Sequence, residues 1–339
     1  ARAAERAAGS PARLSWLADG GGAGHNDGVA PIRPTPNQDA WDRRVELGSY
    51  RTDVRRFSIS RYPTYGSYVS RRHPVADERI VVLPNRAAVH AFGLYSGEVR
   101  WTFEQPYNRA TQFWRSEYEL DPYVRYSARI AGDDVFVPVE QPLIRSMHDP
   151  RQEQVFGRSV LVHAPRRKLY NFDIETGSVR WAVGARWADR ESGVPIYQTL
   201  SYPVAPVVAG DTVYAAAARV ANGNANIYAV ALERSLPEDQ VSADRGSTND
   251  LTRFGMPRND PVPRARWTTR LASGQQETNL FGRPTREPVP SQMAYASHRL
   301  FVSTNIGVVA AVEPETGAQL WSYPYKRIEF TAPVELSEH

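Results

Sequence analysis

The residues best suited to chemistry in this sequence are scattered acids rather than a compact set. Asp133 and Asp134 fall beside a glycine, and Glu313 and Glu315 flank a Pro and precede a Thr-Gly pair. Acids at such turns are usually solvated. Neither pair belongs to a carboxylate series with the spacing of a calcium-binding loop. We therefore expect these acids to be exposed, and we name no metal ligand.

Histidine and cysteine give no catalytic pattern either. The seven histidines lack His-x-His and His-x-x-x-His spacing, so they do not indicate a zinc site; they are His25, His73, His90, His148, His163, His298 and His339. The chain has no cysteine, which excludes disulfides, thiolate metal sites and cysteine catalysis. No Gly-x-Ser-x-Gly elbow is present. We name no catalytic residue and favour a function that is not enzymatic.

A stretch rich in arginine and aromatic residues spans residues 41–73. Such interleaving suits a platform on which bases stack while guanidinium groups contact phosphates. Acids at Asp42, Glu46 and Asp53 dilute the charge, and the net charge of the whole chain is only +4. We favour a segment whose aromatics cover the fold while its arginines face water. Nucleic-acid binding is the alternative.

The elements that must position any site are set by a repeated hairpin ending, Ala-x-acid-x-x-Thr-Gly-x-x-x-Trp. Residues 311–321 (AVEPETGAQLW) fit it fully. Residues 171–181 (NFDIETGSVRW) and 91–101 (AFGLYSGEVRW) fit it with Asn171 at the first position of one and Gly93 at the acid position of the other. A composition of 23 Gly and 8 Trp in 339 residues predicts about half a Gly-x-x-x-Trp by chance. Three occur, each after an apolar run typical of a strand, so the chain contains an internal repeat.

At these residues the chain resembles the pyrroloquinoline-quinone (PQQ)-type β-propeller repeat, whose blades end in a tryptophan docking motif. The resemblance implies an all-β propeller with blades of four antiparallel strands. It implies a structural role for the docking residues Trp101, Trp181, Trp267, Trp321, Gly97, Gly177 and Gly317. Residues 305–321 also look like very large propeller proteins of planctomycete-type bacteria. Because this repeat family generally builds seven or eight blades, we expect the chain to form part of a larger propeller.

The predicted layout starts with a helical and Gly/Pro-rich arm, residues 1–40, followed by the propeller, residues 41–339. Its blades are expected at about 74–101, 122–181, 202–267 and 288–321, with a further blade beginning at 322–339. In the second blade, residues 126–140 and 159–163 are predicted strands before the strand ending at Asp173. No apolar run is long enough to span a membrane, and the first residue is Ala without a leader-like segment. We therefore expect a processed protein or a piece of a longer one.

Two insertions lengthen the predicted blades, at about residues 141–158 and 233–264, and loops of this kind commonly carry binding surfaces. The predicted function is a scaffold that presents these loops to a protein partner, or to the remaining blades of a larger propeller, without a cofactor. By resemblance alone, its location is periplasmic or at the cell envelope. The alternative that the resemblance implies is an oxidoreductase that depends on PQQ and Ca²⁺.

Overall fold

The structure, a computed structural model, describes residues 72–84, 88–104, 126–141, 152–155, 158–161, 167–185, 193–221, 224–236, 260–275 and 290–325. These residues form strands and one single-turn helix, α1 (Ile196–Thr199). In chain order the strands are β1 (Arg72–His73), β2 (Val75–Ala76), β3 (Ile80–Pro84), β4 (Ala88–Gly93), β5 (Val99–Glu104), β6 (Tyr126–Ser127), β7 (Arg129–Ala131), β8 (Asp134–Glu140), β9 (Gln152–Val155), β10 (Arg158–Leu161), β11 (Arg167–Asp173), β12 (Val179–Val183), β13 (Val207–Ala209), β14 (Thr212–Ala221), β15 (Asn224–Glu233), β16 (Ala265–Gln275), β17 (Pro290–Ala296), β18 (Arg299–Thr304), β19 (Val308–Val312) and β20 (Gln319–Pro324). The predicted arm, residues 1–40, lies outside the described residues.

Four antiparallel sheets of four strands each make up most of the described chain, and we number them as blades. Blade 1 contains β2–β5, blade 2 contains β7, β8, β11 and β12, blade 3 contains β13–β16, and blade 4 contains β17–β20. Each blade is a meander, because strands that follow one another in it are also hydrogen-bonded neighbours. The prediction of an all-β fold built from four-stranded blades is confirmed. A short parallel pair, β1 with β6, was not predicted.

The strand predicted at residues 159–163 does not belong to blade 2. It overlaps β10, which pairs with β9 in a separate two-stranded hairpin. In blade 2, β8 pairs directly with β11, from Glu140 opposite Arg167 to Asp134 opposite Asp173. This continuous register leaves no position between β8 and β11 for another strand. The insertion between β8 and β11 therefore leaves blade 2 after Glu140 and returns at Arg167, which lies directly opposite.

Apolar cores fill the junctions between consecutive blades. The core between blades 1 and 2 includes Val82 and Tyr170, and the core between blades 2 and 3 includes Phe136 and Leu232. A third core, between blades 3 and 4, includes Val302. Every residue of β8 is buried, as expected for a strand that neighbouring blades cover on both faces. Packing between blades is therefore continuous from blade 1 to blade 4.

Antiparallel strands put the first and third turns of each blade at one end and the second turn at the other. We call the end that carries the first and third turns the Thr-Gly end, because the turns at residues 93–97, 173–177 and 313–317 lie there. The hairpin β9–β10 belongs to the insertion at the opposite end of blade 2. The insertion of blade 3 starts after Leu236, at the Thr-Gly end. This arrangement decides which residues can form a common surface.

Candidate functional site

The first blade junction places an indole directly over a glycine. Trp101 of blade 1 is 7 % exposed, and its Nε1–H donates a hydrogen bond of 2.8 Å to the carbonyl oxygen of Ile174 in blade 2. A Cβ on Gly177 would lie 2.6 Å from the Trp101 ring. Gly177 also has a φ of +68°, a backbone conformation that glycine adopts without steric cost. The Thr-Gly turn thus supplies both the space and the acceptor for the indole.

The junction between blades 3 and 4 repeats this geometry. Trp267 donates its Nε1–H to the carbonyl of Pro314 over 2.9 Å, and a Cβ on Gly317 would lie 2.5 Å from the ring. Thr269, two residues after Trp267, donates its hydroxyl to the carbonyl of Gly317 over 2.7 Å. The turn at residues 313–317 therefore contacts two residues of the preceding blade, Trp267 and Thr269.

Blade 3 lacks a Thr-Gly turn, yet it keeps the indole acceptor. Trp181 of blade 2 is 1 % exposed and donates its Nε1–H to the carbonyl of Arg234 over 2.8 Å. Arg234 follows Glu233, as Ile174 follows Asp173 and Pro314 follows Glu313. The acceptor is thus the residue after the acid in three junctions. The sequence analysis missed this preserved position, although Ala231 and Glu233 keep the first and third positions of the repeat.

The fourth docking tryptophan lies on a different kind of surface. Trp321 is 43 % exposed, and Leu320, Tyr323 and Tyr325 on or beside the same strand are also exposed. All six residues of β20 are exposed, whereas Trp101 in β5 and Trp181 in β12 are buried. Gly97 of blade 1 has a φ of +63° and is buried. Blade 4 therefore ends the described series with an uncovered aromatic face.

Polar contacts hold the Thr-Gly turn of blade 2 in place. Thr176 donates both its backbone N–H and its hydroxyl to Asp173 Oδ1, each over 2.9 Å. Arg180 contacts the other carboxylate oxygen of Asp173 at 2.5 Å. Burial acts to raise the pKa of Asp173, but the hydrogen bonds from Arg180 and Thr176 outweigh it, and the pKa is lowered to about 2. The Asp173 carboxylate therefore stabilises the turn that places Gly177 beneath Trp101.

The expectation that Asp133 and Asp134 are both solvated is wrong for Asp134. Its side chain contacts Arg180 at 2.6 Å and Arg234 of blade 3 at 2.5 Å, and the residue is 4 % exposed. Arg234 also donates to the carbonyl of Ala131 over 2.6 Å. Burial is tolerated because two guanidinium groups satisfy the carboxylate. Asp133 remains exposed and lies 3.4 Å from Arg79 of blade 1.

Two buried ion pairs lie where the insertions leave the blades. Glu140 and Arg167, which flank the insertion of blade 2, are each 1 % exposed, with charged atoms 3.9 Å apart. The neighbouring Lys168 lies 3.8 Å from Asp260, and both side chains are about one-tenth exposed. Asp260 lies near the end of the insertion of blade 3, five residues before β16 begins at Ala265. The Lys168–Asp260 pair therefore joins the ends of both insertions.

The chain after Asp260 runs along the outer edge of blade 2. Ala182 of β12 donates its backbone N–H to the carbonyl of Pro261 over 2.9 Å, and the hydroxyl of Tyr197 donates to the carbonyl of Pro263 over 3.3 Å. The insertion of blade 3 thus leaves at the Thr-Gly end and returns beside Lys168, at the opposite end. Sequence analysis gave no signal for this, because Lys168 and Asp260 belong to different blades.

The described part of the chain contains no group of three or more His, Cys, Asp or Glu residues arranged to hold a metal ion. His90 stacks on Phe92 at 6.4 Å between ring centroids, and burial lowers its pKa. Four of the seven histidines lie outside the described residues: His25, His148, His163 and His339. Among the described residues, no helix could span a membrane.

The repeat geometry agrees with the comparison to protein families. The family model described as "Outer membrane protein assembly factor BamB" matches residues 34–327. The chain belongs to this family. Membership agrees with the predicted PQQ-like propeller repeat, whereas the likeness to planctomycete proteins stays a prediction. None of the curated proteins matches the sequence.

Several solved structures are similar to the chain at low identity. BamB from Moraxella catarrhalis is 15 % identical, with 72 % of this chain and 49 % of that chain covered and a TM-score of 0.34. Quinohemoprotein alcohol dehydrogenase from Comamonas testosteroni is 14 % identical, with 74 % and 34 % covered and a TM-score of 0.42. A europium-containing methanol dehydrogenase is 12 % identical, with 74 % and 41 % covered and a TM-score of 0.37. The chain spans half or less of the length of each of these proteins.

Proposed function

We propose that the chain is a non-catalytic binding module of a larger extracytoplasmic bacterial protein, and that its two insertions together hold a protein partner. The observation that carries this proposal is the Lys168–Asp260 ion pair, which joins the ends of the two insertions. The family description names an outer membrane protein assembly factor, which supports a protein partner and a location at the cell envelope.

The buried pairs make the attachment of the insertions rigid. Removing one member of a buried ion pair leaves a charge away from water without its partner, which is strongly unfavourable. Glu140 and Arg167 therefore hold the two ends of the first insertion opposite each other, and Lys168 fixes the return of the second beside them. A loop whose ends are fixed before binding loses less conformational entropy when a partner docks. This arrangement suits presentation rather than catalysis.

Packing between blades keeps this attachment in place. The backbone N–H of Arg167 donates a hydrogen bond of 3.0 Å to the hydroxyl oxygen of Ser201, in the segment leading into blade 3. The backbone N–H of Tyr202 donates to the carbonyl of Arg167 over 3.0 Å. Residue 167 is thus bonded to both blade 2 and the segment that leads into blade 3. The insertions that would bind the partner are therefore attached where blade 2 meets the segment leading into blade 3.

Site-specific photo-crosslinking in the producing bacterium tests the proposal. A crosslinking amino acid in the first insertion, at Gln154, is expected to capture one defined protein, whereas the same amino acid at Tyr95, an exposed residue on a Thr-Gly-type turn, is expected to capture none. Replacement of residues 141–166 by Asn-Gly, a dipeptide suited to a two-residue hairpin, should abolish capture from a second crosslinker in residues 237–259.

A dye-reduction assay tests the competing function, that of a PQQ-dependent oxidoreductase. The purified chain, supplied with PQQ and Ca²⁺, is expected to reduce no redox dye with primary alcohols as substrates. Dye reduction that requires both PQQ and Ca²⁺ would contradict the proposal and support a quinone-dependent oxidoreductase. Equal crosslinking at Gln154 and Tyr95 would also contradict it.

A further inference from the structure

We propose that the junction between blades 2 and 3 is a hinge that opens more readily than its neighbours, and that the ends of the two insertions clamp it shut. The observation that carries this proposal is Asn171, a buried amide at the first position of the repeat. The hinge is a property of the chain alone. It goes beyond the proposed function, because it holds whatever the insertions bind.

Asn171 occupies a position that alanine holds in the other blades. These alanines have no exposed surface; they are Ala91, Ala231 and Ala311. Blade 3 shows why the residue is small, because Ala231 lies opposite Tyr214 on one strand and Trp267 on the other. The two ring centroids are 6.1 Å apart, although their backbones are two strand spacings, about 10 Å, apart. The rings therefore lean across the middle strand and close over the alanine.

In blade 2 the same closure seals an amide. Asn171 lies opposite Phe136 and Trp181, whose ring centroids are 5.7 Å apart in the core that faces blade 3. Asn171 is 1 % exposed, and within the described part of the chain neither its Oδ1 nor its Nδ2 has a hydrogen-bond partner. An amide removed from water without a hydrogen bond destabilises the state that buries it. Asn171 therefore favours a separation of blades 2 and 3 that returns water to it.

Apolar contact across this junction is also reduced. Ala215, the residue after Tyr214, belongs to the core between blades 2 and 3. The matching residues that face the preceding blade are Val137 in blade 2 and Val302 in blade 4. An alanine buries less apolar surface than a valine, so it contributes less to holding the blades together. Blade 3 also lacks the Thr-Gly turn that receives the indole at the other two junctions.

Polar contacts at both ends of the junction oppose its opening, and they come from the ends of the insertions. At the Thr-Gly end, Arg234, which lies just before the second insertion, contacts Asp134 of blade 2 at 2.5 Å. At the opposite end, Lys168, which lies just after the first insertion, is 3.8 Å from Asp260. The junction is thus weakened at its centre and held at both ends.

Hydrogen exchange of the indole N–H groups tests the hinge. Each of these groups donates to a carbonyl of the next blade, so its exchange rate reports the opening of one junction. In NMR spectra of the full chain, the Trp181 N–H is expected to exchange about tenfold or more faster than that of Trp101, although Trp181 is the less exposed of the two. Asn171→Ala should slow exchange at Trp181 by about tenfold and leave Trp101 unchanged.

Two further variants keep the test independent of Asn171→Ala. Ala231→Asn places an amide beneath the rings of Tyr214 and Trp267, and it should speed exchange at Trp267 by about tenfold without changing Trp181. Arg234→Gln removes the contacts of the guanidinium group with Asp134 and with the carbonyl of Ala131. Because the Arg234 carbonyl that accepts the Trp181 N–H stays in place, faster exchange at Trp181 would report loss of the clamp.

Three outcomes would overturn the proposal. The Trp181 N–H would exchange no faster than that of Trp101, or Asn171→Ala would leave its exchange unchanged, as expected if a buried water satisfied the amide. Alternatively, Arg234→Gln would leave exchange at Trp181 unchanged. None of these measurements involves a partner of the insertions, so failure here is distinguishable from failure of the proposed function.

Discussion

Asp133 and Asp134 are adjacent in the sequence, yet they contact blades on opposite sides of blade 2. Asp133 lies 3.4 Å from Arg79 of blade 1, and Asp134 lies 2.5 Å from Arg234 of blade 3. Successive residues near a strand end point in opposite directions, so one turn reaches both neighbours. Arg79 also contacts Glu175 at 2.9 Å, which adds a second link between blades 1 and 2.

The two carboxylates should differ in their effect on stability. Asp134→Asn is expected to lower the free energy of unfolding by about 2 kcal/mol, because it weakens charge-assisted hydrogen bonds at a buried site. Asp133→Asn, at an exposed pair, should change it by no more than about 0.5 kcal/mol. Urea unfolding of both variants measures the difference. Equal losses would show that Asp134 does not join blades 2 and 3.

The glycine of a Thr-Gly turn should be required for two reasons. The indole above it leaves no room for a Cβ, and its backbone has a positive φ. Gly317→Ala places a Cβ 2.5 Å from Trp267, whereas Gly210→Ala meets nothing within 4 Å, and both positions have positive φ, +75° and +57°. Gly210→Ala should cost about 1–2 kcal/mol of stability from the left-handed backbone alone. Gly317→Ala should cost about 1–3 kcal/mol more from overpacking. Equal urea midpoints would exclude a packing role for the indole at this turn.

Acid should weaken the Thr-Gly turn of blade 2 in a narrow pH range. The pKa of Asp173 is about 2 in the folded chain and 3.8 ordinarily, so the unfolded state binds more protons between these values. The stabilisation is present above about pH 4 and is lost as the pH falls through about 2.

Because the Asp173 side chain is one-quarter exposed, its contribution to the free energy of unfolding should be about 1–2 kcal/mol. Asp173→Asn should remove that part of the pH dependence while other acids retain theirs. Urea unfolding of the unaltered chain and of Asp173→Asn, at pH 5 and at pH 2.5, measures this difference in the free energy of unfolding. A variant with the same pH dependence as the unaltered chain would show that Asp173 keeps its ordinary pKa.

The Lys168–Asp260 pair should couple the two insertions energetically. Asp260→Leu alone is expected to destabilise the chain by about 3 kcal/mol, because it leaves Lys168 without that carboxylate in a buried site. Lys168→Met combined with Asp260→Leu should recover most of the loss. A double-mutant cycle by urea unfolding gives the coupling energy. Additive losses would mean that the pair does not fix the return of the second insertion.

Much of the fold follows from repeated local patterns. The Gly-x-x-x-Trp spacing predicted the hairpin endings, since each has a glycine at positive φ followed by a strand whose third residue is the tryptophan. The strand at residues 159–163 was misplaced, because β-propensity marks a strand without naming its partner. The Lys168–Asp260 pair and the contact of Arg234 with Asp134 depend on the packing of different blades. No local pattern carries that information.

The most direct test of the central claim is the affinity of the captured partner for the chain. Isothermal titration of the purified partner compares the unaltered chain with the chain whose residues 141–166 are replaced by Asn-Gly and with the Lys168→Met, Asp260→Leu variant. Loss of the first insertion should weaken binding by about a hundredfold, close to 2.7 kcal/mol, and the double variant should weaken it less. Unchanged affinity in the chain without the insertion would contradict the account.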